Sequence, residues 1–454
     1  MEFSVAKHYD IVIIGTGSGN SIPGPEFDNK SIAIVEKGVF GGTCLNVGCI
    51  PTKMYVYAAD VARTIEHAGT YGIQGSFDGV DWQSIVQRVF DKRIDPIAAG
   101  GEAYRRGPET PNIDVYDQHA SFTGPRTLSV GSEEITGDTI IIATGSRPVI
   151  PTAIAESGVR YYTNEDIMRL PELPRRMTIV GAGFIACEFA HVFSALGVEV
   201  TQLVRSDRML RGIDDDIAAA FAKAAESQWT VKYDTEVVSA TLGISLALSD
   251  GSTLDTDVLL VATGRTPNGD QMNLAAAGVE MDEDRVKVDE FGRTTAEGVW
   301  ALGDVSSPYQ LKHVANAEMR AVKHNIAHPQ DLRSMPHDFV PAAVFSNPQI
   351  AYVGLTETEA REKYDVTVKV QKYGDVAYGW AMEDTDGFAK LIADRSTGKL
   401  LGAHIIGPQA STLIQQLITV MAFDLDCREV ATKQYWIHPA LPELIENALL
   451  GLEF

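Results

Sequence analysis

The sequence predicts an α/β protein: two Rossmann-like nucleotide-binding domains followed by a C-terminal α+β domain. Three observations carry this. A strand running into clustered glycines opens the chain, a second copy of that pattern begins near residue 176, and two strands ending in Ala-Thr-Gly recur at 138–148 and 257–267. At 454 residues the chain is too long for one ordinary domain, and three is a fair expectation.

The first element is "YDIVIIGTGSGN", an apolar strand from Tyr9 to Ile14 that ends in Gly15, Gly17 and Gly19. Such glycines after a strand, with an acid about 20 residues on, suit a dinucleotide whose ribose hydroxyls the acid accepts from. Glu36, closing "SIAIVEK", fits that acid. The third glycine of the pattern is replaced by Asn20, and Pro23, Gly24 and Pro25 follow. The helix facing the pyrophosphate is therefore expected to be short or displaced.

Next comes "GGTCLNVGCIPTK", with two of the four cysteines five residues apart. In a regular helix positions i and i+5 differ by about 7.5 Å of rise, on different faces. That is beyond the roughly 4.4–6.8 Å between the Cα atoms of a disulfide. Cys44 and Cys49 can bond only where the stretch departs from regular helix, which Gly48 permits and Pro51 encourages. A loop this small would be a weak structural staple. A zinc site would want a second ligand pair, and Cys187 and Cys427 stand alone in distant segments. A redox disulfide is the sharper reading, and it requires an electron source elsewhere in the chain.

The second copy, "RMTIVGAGFIACEFAHVFSALGVEVTQLVRSDRMLR", reads strand, GxGxxA at Gly181, Gly183 and Ala186, amphipathic helix, strand. Where an acid would read a ribose hydroxyl stands Val204, followed by Arg205, Arg208 and Arg211. Guanidinium groups suit a 2′-phosphate and a carboxylate would repel one, so the loop reads as NADP(H)-selective rather than merely solvated. The repeated "DTIIIATGSRP" and "DVLLVATGRTP" suggest one Rossmann domain inserted into another, dividing the chain at 1–146, 147–264, 265–334 and 335–454. "VWALGDVSS" then ends a strand at Gly303 and Asp304, and a helix opens near Lys312. An aspartate there can accept from a cofactor hydroxyl, and the helix N-terminus favours negative charge.

From about Met335 short alternating strands and the helical "ASTLIQQLITVMAF" form a domain without a nucleotide motif. It ends in "YWIHPALPELIENALLGLEF", where His438 precedes a proline and Glu443 lies five residues on. A histidine with a carboxylate to orient it is an acid–base candidate.

Taken together, "GGTCLNVGCIPTK", the two fingerprints, "ALGD" and "IHPALPE" resemble the class I pyridine nucleotide–disulfide oxidoreductases over nearly the whole chain. "GTGSGNS" with its abbreviated first helix, "AYGWAMEDT" and "YWIHPALPELIENALLGL" are most similar to the members that reduce mycothione, the disulfide of mycothiol. The resemblance implies a homodimer with an FAD domain, an inserted NADPH domain and a C-terminal dimerisation domain. It implies FAD at Gly15, Gly17, Glu36, Thr43, Lys53 and Asp304, with Lys312 opening the helix behind it. It implies NADPH at Gly181, Gly183, Arg205 and Arg211, with Phe184 where many relatives carry a tyrosine lid. Electrons would pass from NADPH through FAD to a Cys44–Cys49 disulfide, with Cys49 the flavin-side thiol and Cys44 the one that attacks substrate. His438 of the partner subunit, oriented by its Glu443, would serve Cys44, and Lys53 would pair with Glu188 beside the flavin. The rivals are dihydrolipoamide dehydrogenase, which wants a carboxylate near position 204, and glutathione reductase, whose substrate carries carboxylates. Against the latter, "NSIPGPEFD" offers Glu26 and Asp28 and no base before Lys30. A non-catalytic flavoprotein would leave the cysteines and His438 without a purpose.

A formal charge of −23 argues against nucleic acid or anionic membranes as partners, and no apolar run approaches a membrane span. No metal site is expected. The opening residues lack the organisation of a signal peptide, and four cysteines then suggest a reducing cytoplasm, where a disulfide is more often catalytic than structural.

Overall fold

The structure, a computed structural model, describes residues 6–454; the first five residues of the expected 1–146 segment lie outside it. Strand β1 (Lys7–Ile14) buries Ile11 through Ile14 completely or nearly so, the pattern of a central parallel strand covered on both faces. It lies between β2 (Ile32–Val35) and β6 (Glu133–Ile142), parallel to both. The sheet continues through β3 (Ile113–Tyr116) on one side. On the other, β5 (Thr127–Val130) pairs antiparallel with β6, and β4 (Ala120–Gly124) pairs antiparallel with β5. Strand Val299–Ala301 adds a parallel neighbour along the end of β6. Both β1 and this late strand therefore end at one rim of the sheet, where open α/β folds bind ligands.

A second parallel sheet runs β10 (Thr230–Lys232), β9 (Glu199–Leu203), β8 (Arg176–Val180) and Val258–Val261. The chain leaves the first sheet through β7 (Ser146–Pro148) and returns through Arg265–Pro267, and these two short strands pair antiparallel with each other. The last region is a five-stranded antiparallel sheet, Ala342–Val344, Ile350–Gly354, Leu400–Ile406, Phe388–Asp394 and Val366–Lys372 in spatial order. Helices Ala410–Ala422 and Pro442–Leu450 cover it, burying Leu413, Leu417, Leu444 and Ile445 in one core.

After the first fingerprint there is no long helix, only 3-10 turns at Ser18–Ser21 and Pro25–Phe27. Proline and glycine at 23–25 account for this. Lys390, 3% exposed, joins the second and third regions by reaching Asp214 at 2.9 Å, Asp216 at 2.6 Å and Glu357 at 2.7 Å.

Candidate active site

The two-cysteine stretch is broken as Gly48 and Pro51 suggested. Helix α1 (Gly42–Asn46) carries Cys44, and helix α2 (Cys49–His67) begins with Cys49; Val47 and Gly48 form the break. Pro51 sits in the first turn of α2, where its missing N–H costs nothing. The Cys44 and Cys49 thiols lie close enough to act on one another. The neighbouring Cys44 thiol lowers the Cys49 thiol to about 7; desolvation pulls the other way, and the Lys53 ammonium one turn on reinforces the lowering. The Cys49 thiol, with burial, pushes Cys44 up. A thiolate on Cys49 also faces the N-terminus of α2, which favours negative charge.

Lys53 is held in place. Its Nζ lies 2.6 Å from Glu188 Oε2 and 4.5 Å from the centre of the Phe345 ring. The other oxygen of Glu188 accepts the Phe345 N–H at 3.0 Å. Lys53 and Glu188 thus form the expected ion pair four residues from Cys49.

The first fingerprint makes a cradle that only glycine allows. Gly15 has φ +103°, and a Cβ there would lie 2.3 Å from the Ala143 carbonyl oxygen. Gly17 faces open space. Glu36 Oε2 accepts from the Thr16 N–H at 3.0 Å and its hydroxyl at 2.6 Å, while Oε1 accepts from the Gly38 N–H. The Thr16 hydroxyl in turn accepts the Gly41 N–H at 2.9 Å, which ties the fingerprint to the start of α1, where Thr43 lies exposed. Asp304 accepts from Ser146 Oγ at 2.7 Å, and burial pushes its carboxyl up. Lys312 opens helix Lys312–Ala327, donates to Ser18 Oγ at 2.8 Å and acts on Cys44 by its charge. A glycine turn for a pyrophosphate, a carboxylate for a ribose and a half-buried aspartate on the same rim fit FAD.

The second fingerprint repeats the cradle. A Cβ on Gly181 would lie 2.2 Å from the Ala262 carbonyl oxygen, and Gly183 precedes helix Phe184–Ala195. Phe184, its first residue, is exposed. Val204 is fully buried, so no carboxylate stands where a ribose acid would. Arg205 is 75% exposed, with Glu236 at 3.8 Å. Arg211 donates through Nε to Ser206 Oγ at 3.1 Å, leaving its terminal nitrogens available. Arg208 differs from the other two: it is engaged with Asp215 at 2.6 Å and with the Ile213 carbonyl. The set fits a 2′-phosphorylated nicotinamide dinucleotide.

His438 Nδ1 lies 2.6 Å from Glu443 Oε1, as the spacing suggested, and the ring is 69% exposed. The second oxygen of Glu443 accepts the Ala440 N–H. No hydrogen bond joins His438 to Cys44 of the same chain among the described residues. The acidic stretch at 20–28 carries no base of its own, and Lys323, from the helix opened by Lys312, pairs with its Glu26 at 3.1 Å. A contact across 297 positions leaves no local trace in sequence. Several residues of the site went unread for the same reason: Thr16, Ser18, Asn164 and Glu318, whose buried carboxylate accepts the Gly303 N–H at 2.7 Å. Arg265 was visible in "ATGRTP", but only as part of a repeat.

Residues 9–321 match the family model described as pyridine nucleotide-disulphide oxidoreductase, and residues 340–449 match the dimerisation domain of the same family. The chain is 57% identical to the mycothione reductase of Mycobacterium tuberculosis, over 98% of this chain and 99% of that one. It is 34% identical to the dihydrolipoyl dehydrogenase of Corynebacterium glutamicum, over 99% and 98%. Among solved structures, the HOCl-induced flavoprotein disulfide reductase RclA from Escherichia coli superposes with a TM-score of 0.87 at 28% identity, covering 98% of this chain and 100% of that one.

Proposed function

Because this chain belongs to the pyridine nucleotide–disulphide oxidoreductases, a family that works with FAD and NADPH, we propose that it reduces mycothione to two mycothiols at the expense of NADPH. The observation that carries the chemistry is the Cys44–Cys49 thiol pair, split over two helices with its lowered member beside Lys53. The substrate rests on identity, 57% to a mycothione reductase against 34% to a dihydrolipoyl dehydrogenase, and on the absence of a carboxylate at position 204.

In this reading residues 1–146 and 265–334 hold FAD, 147–264 hold NADPH, and 335–454 pair the subunits. FAD held there would supply the two-electron relay between NADPH and the cysteine disulfide. Lys53 keeps positive charge beside Cys49 and so favours its thiolate. The thiolate of Cys44 attacks one sulfur of the substrate, forming a Cys44–substrate mixed disulfide and expelling the first thiolate. His438 of the partner subunit, oriented by its own Glu443, supplies the proton that thiolate takes. Cys49 then attacks Cys44 Sγ, restoring the intramolecular disulfide and releasing the second thiol, which is also protonated. A base supplied by the partner subunit would free the Cys44 nucleophile.

The deciding assay follows NADPH oxidation against mycothiol, glutathione, lipoamide and trypanothione disulfides under one set of conditions. Mycothiol disulfide should give the highest kcat/KM by at least tenfold. A higher value with glutathione or lipoamide disulfide would overturn the substrate assignment while leaving the disulfide chemistry intact.

A further inference from the structure

The turn after the first fingerprint is too short to offer an anion what a full helix offers. An α-helix presents about half a unit of positive charge at its N-terminus, summed over aligned peptide dipoles. Here the 3-10 turn Ser18–Ser21 stops after 4 residues, and Pro23 and Pro25 prevent its continuation. Gly24, whose N–H would reach the Asn20 carbonyl in a continuing helix, is instead extended, with φ −170° and ψ −178°. The Asn20 carbonyl therefore needs a donor from elsewhere.

Arg105, 85 positions away, provides it. This residue lies half-buried in the last turn of helix Asp95–Arg106. Its Nη2 donates to the Asn20 carbonyl at 2.7 Å, and its Nε donates to the Asn20 side-chain oxygen at 2.9 Å. The guanidinium thus grips the very residue that replaces the third fingerprint glycine. Among the described residues Nη1 makes no hydrogen bond, and no carboxylate pairs with Arg105. Its neighbour Arg106, by contrast, is bonded to Glu102 at 2.8 Å and to Asp117. Burial pulls the Arg105 guanidinium below its usual pKa, as expected of a cation taken from water without a counter-ion. A half-buried positive charge with no acid of its own, fixed to a turn shaped for a pyrophosphate, complements that group.

We propose that Arg105 supplies the FAD pyrophosphate with the positive charge that the missing helix would otherwise present, and that Asn20 holds the guanidinium there. The inference rests on the reading of the first fingerprint as the FAD cradle. Lys312 touches the same turn at Ser18, so Arg105 carries part of the charge and not all of it.

The test follows FAD release from the FAD-loaded protein by the rise in flavin fluorescence after dilution, at low and at high KCl. Arg105→Gln keeps a donor for Asn20 and loses the charge, whereas Arg105→Lys keeps the charge and loses the two-pronged grip. At low KCl the glutamine variant should release FAD at least about tenfold faster than wild type, and the lysine variant no more than about threefold faster. Salt should speed release from the wild type and the lysine variant, and from the glutamine variant much less. Should Arg105→Gln not fold, Asn20→Asp decides, because it keeps both acceptors and gives the guanidinium a counter-ion. It too should release FAD faster at low KCl and respond less to salt. Equal acceleration in the glutamine and lysine variants, with the response to salt unchanged, would make Arg105 a structural brace and overturn the inference. So would wild-type release from Arg105→Gln, or from Asn20→Asp where that variant decides. A wild-type protein that holds no FAD would sink the reading of the first fingerprint itself, a different outcome from unaltered variants.

Discussion

Arg205 presents its guanidinium to solvent with one loose acidic neighbour, while three residues on Arg208 is tied down by Asp215. A group left free beside a fingerprint loop is available to a ligand. Its contact with a 2′-phosphate is charge-assisted, contributing about 1.5–3 kcal/mol. Arg205→Ala should therefore raise the KM for NADPH about tenfold or more and leave that for NADH nearly unchanged. Equal losses for both coenzymes, measured in parallel assays, would instead assign Arg205 a structural role. Cys49 makes a prediction of its own. Its thiol is lowered to about 7, so the thiolate form prevails above that pH and is lost as pH falls through it. The long-wavelength absorption of the two-electron-reduced, FAD-loaded enzyme, which reports a thiolate against the flavin, should fade over the same interval. In Lys53→Met its midpoint should move to higher pH, because a nearby positive charge has gone. A midpoint that stays put would show that the Cys44 thiol lowers Cys49 without help from Lys53.

At the scale of elements, what could be read locally was read. The apolar runs of β1, β6, β8 and Val258–Val261 announce buried parallel strands, and Pro-Gly-Pro at 23–25 forbids the usual first helix. Gly48 and Pro51 mark the break that separates the cysteines onto two helices. What the pattern could not supply is which distant side chains meet, since periodicity fixes a residue's face and not its partner. Asn164 with Val47 and Lys323 with Glu26 are of this kind. So is Lys390, which pins the start of helix Asp215–Glu226 to the antiparallel sheet. Burial pushes the Asp214 carboxyl up, but Lys390 and the Glu357 N–H together hold it below the usual carboxylate range. Lys390→Met strands that carboxylate in the interior and should cost about 2–4 kcal/mol near neutral pH, moderated because Asp216 is mostly solvated. In the wild type the lowered carboxylates contribute stability above their ordinary pKa, and this is lost as pH falls through the lowered values. The variant lacks that contribution, so denaturant unfolding should show the gap between the two proteins held down to the ordinary carboxylate range and narrowing only below it, as pH falls through the lowered values. A gap independent of pH would mean the network stabilises by packing rather than charge.

The whole molecule places the exposed His438–Glu443 pair at the end of the region that matches a dimerisation domain, with no bond to its own Cys44 among the described residues. A site completed across a two-fold axis explains that arrangement, and mixing two dead variants tests it. In a heterodimer of Cys44→Ser with His438→Ala, one site carries both lesions and the other neither. Random assortment makes half of the dimers mixed, each with one good site, so activity should return to about a quarter of wild type. A verified heterodimer without activity would place Cys44 and His438 in the same subunit. Beneath this lies the central claim, that electrons taken from NADPH leave the protein through Cys44. The most direct measurement is steady-state NADPH-dependent reduction of mycothiol disulfide by FAD-loaded Cys44→Ser beside the wild type. The variant should keep its flavin and still accept electrons from NADPH, yet reduce the disulfide at least about a thousandfold more slowly, as loss of a covalent nucleophile demands. Turnover near the wild-type rate would contradict it.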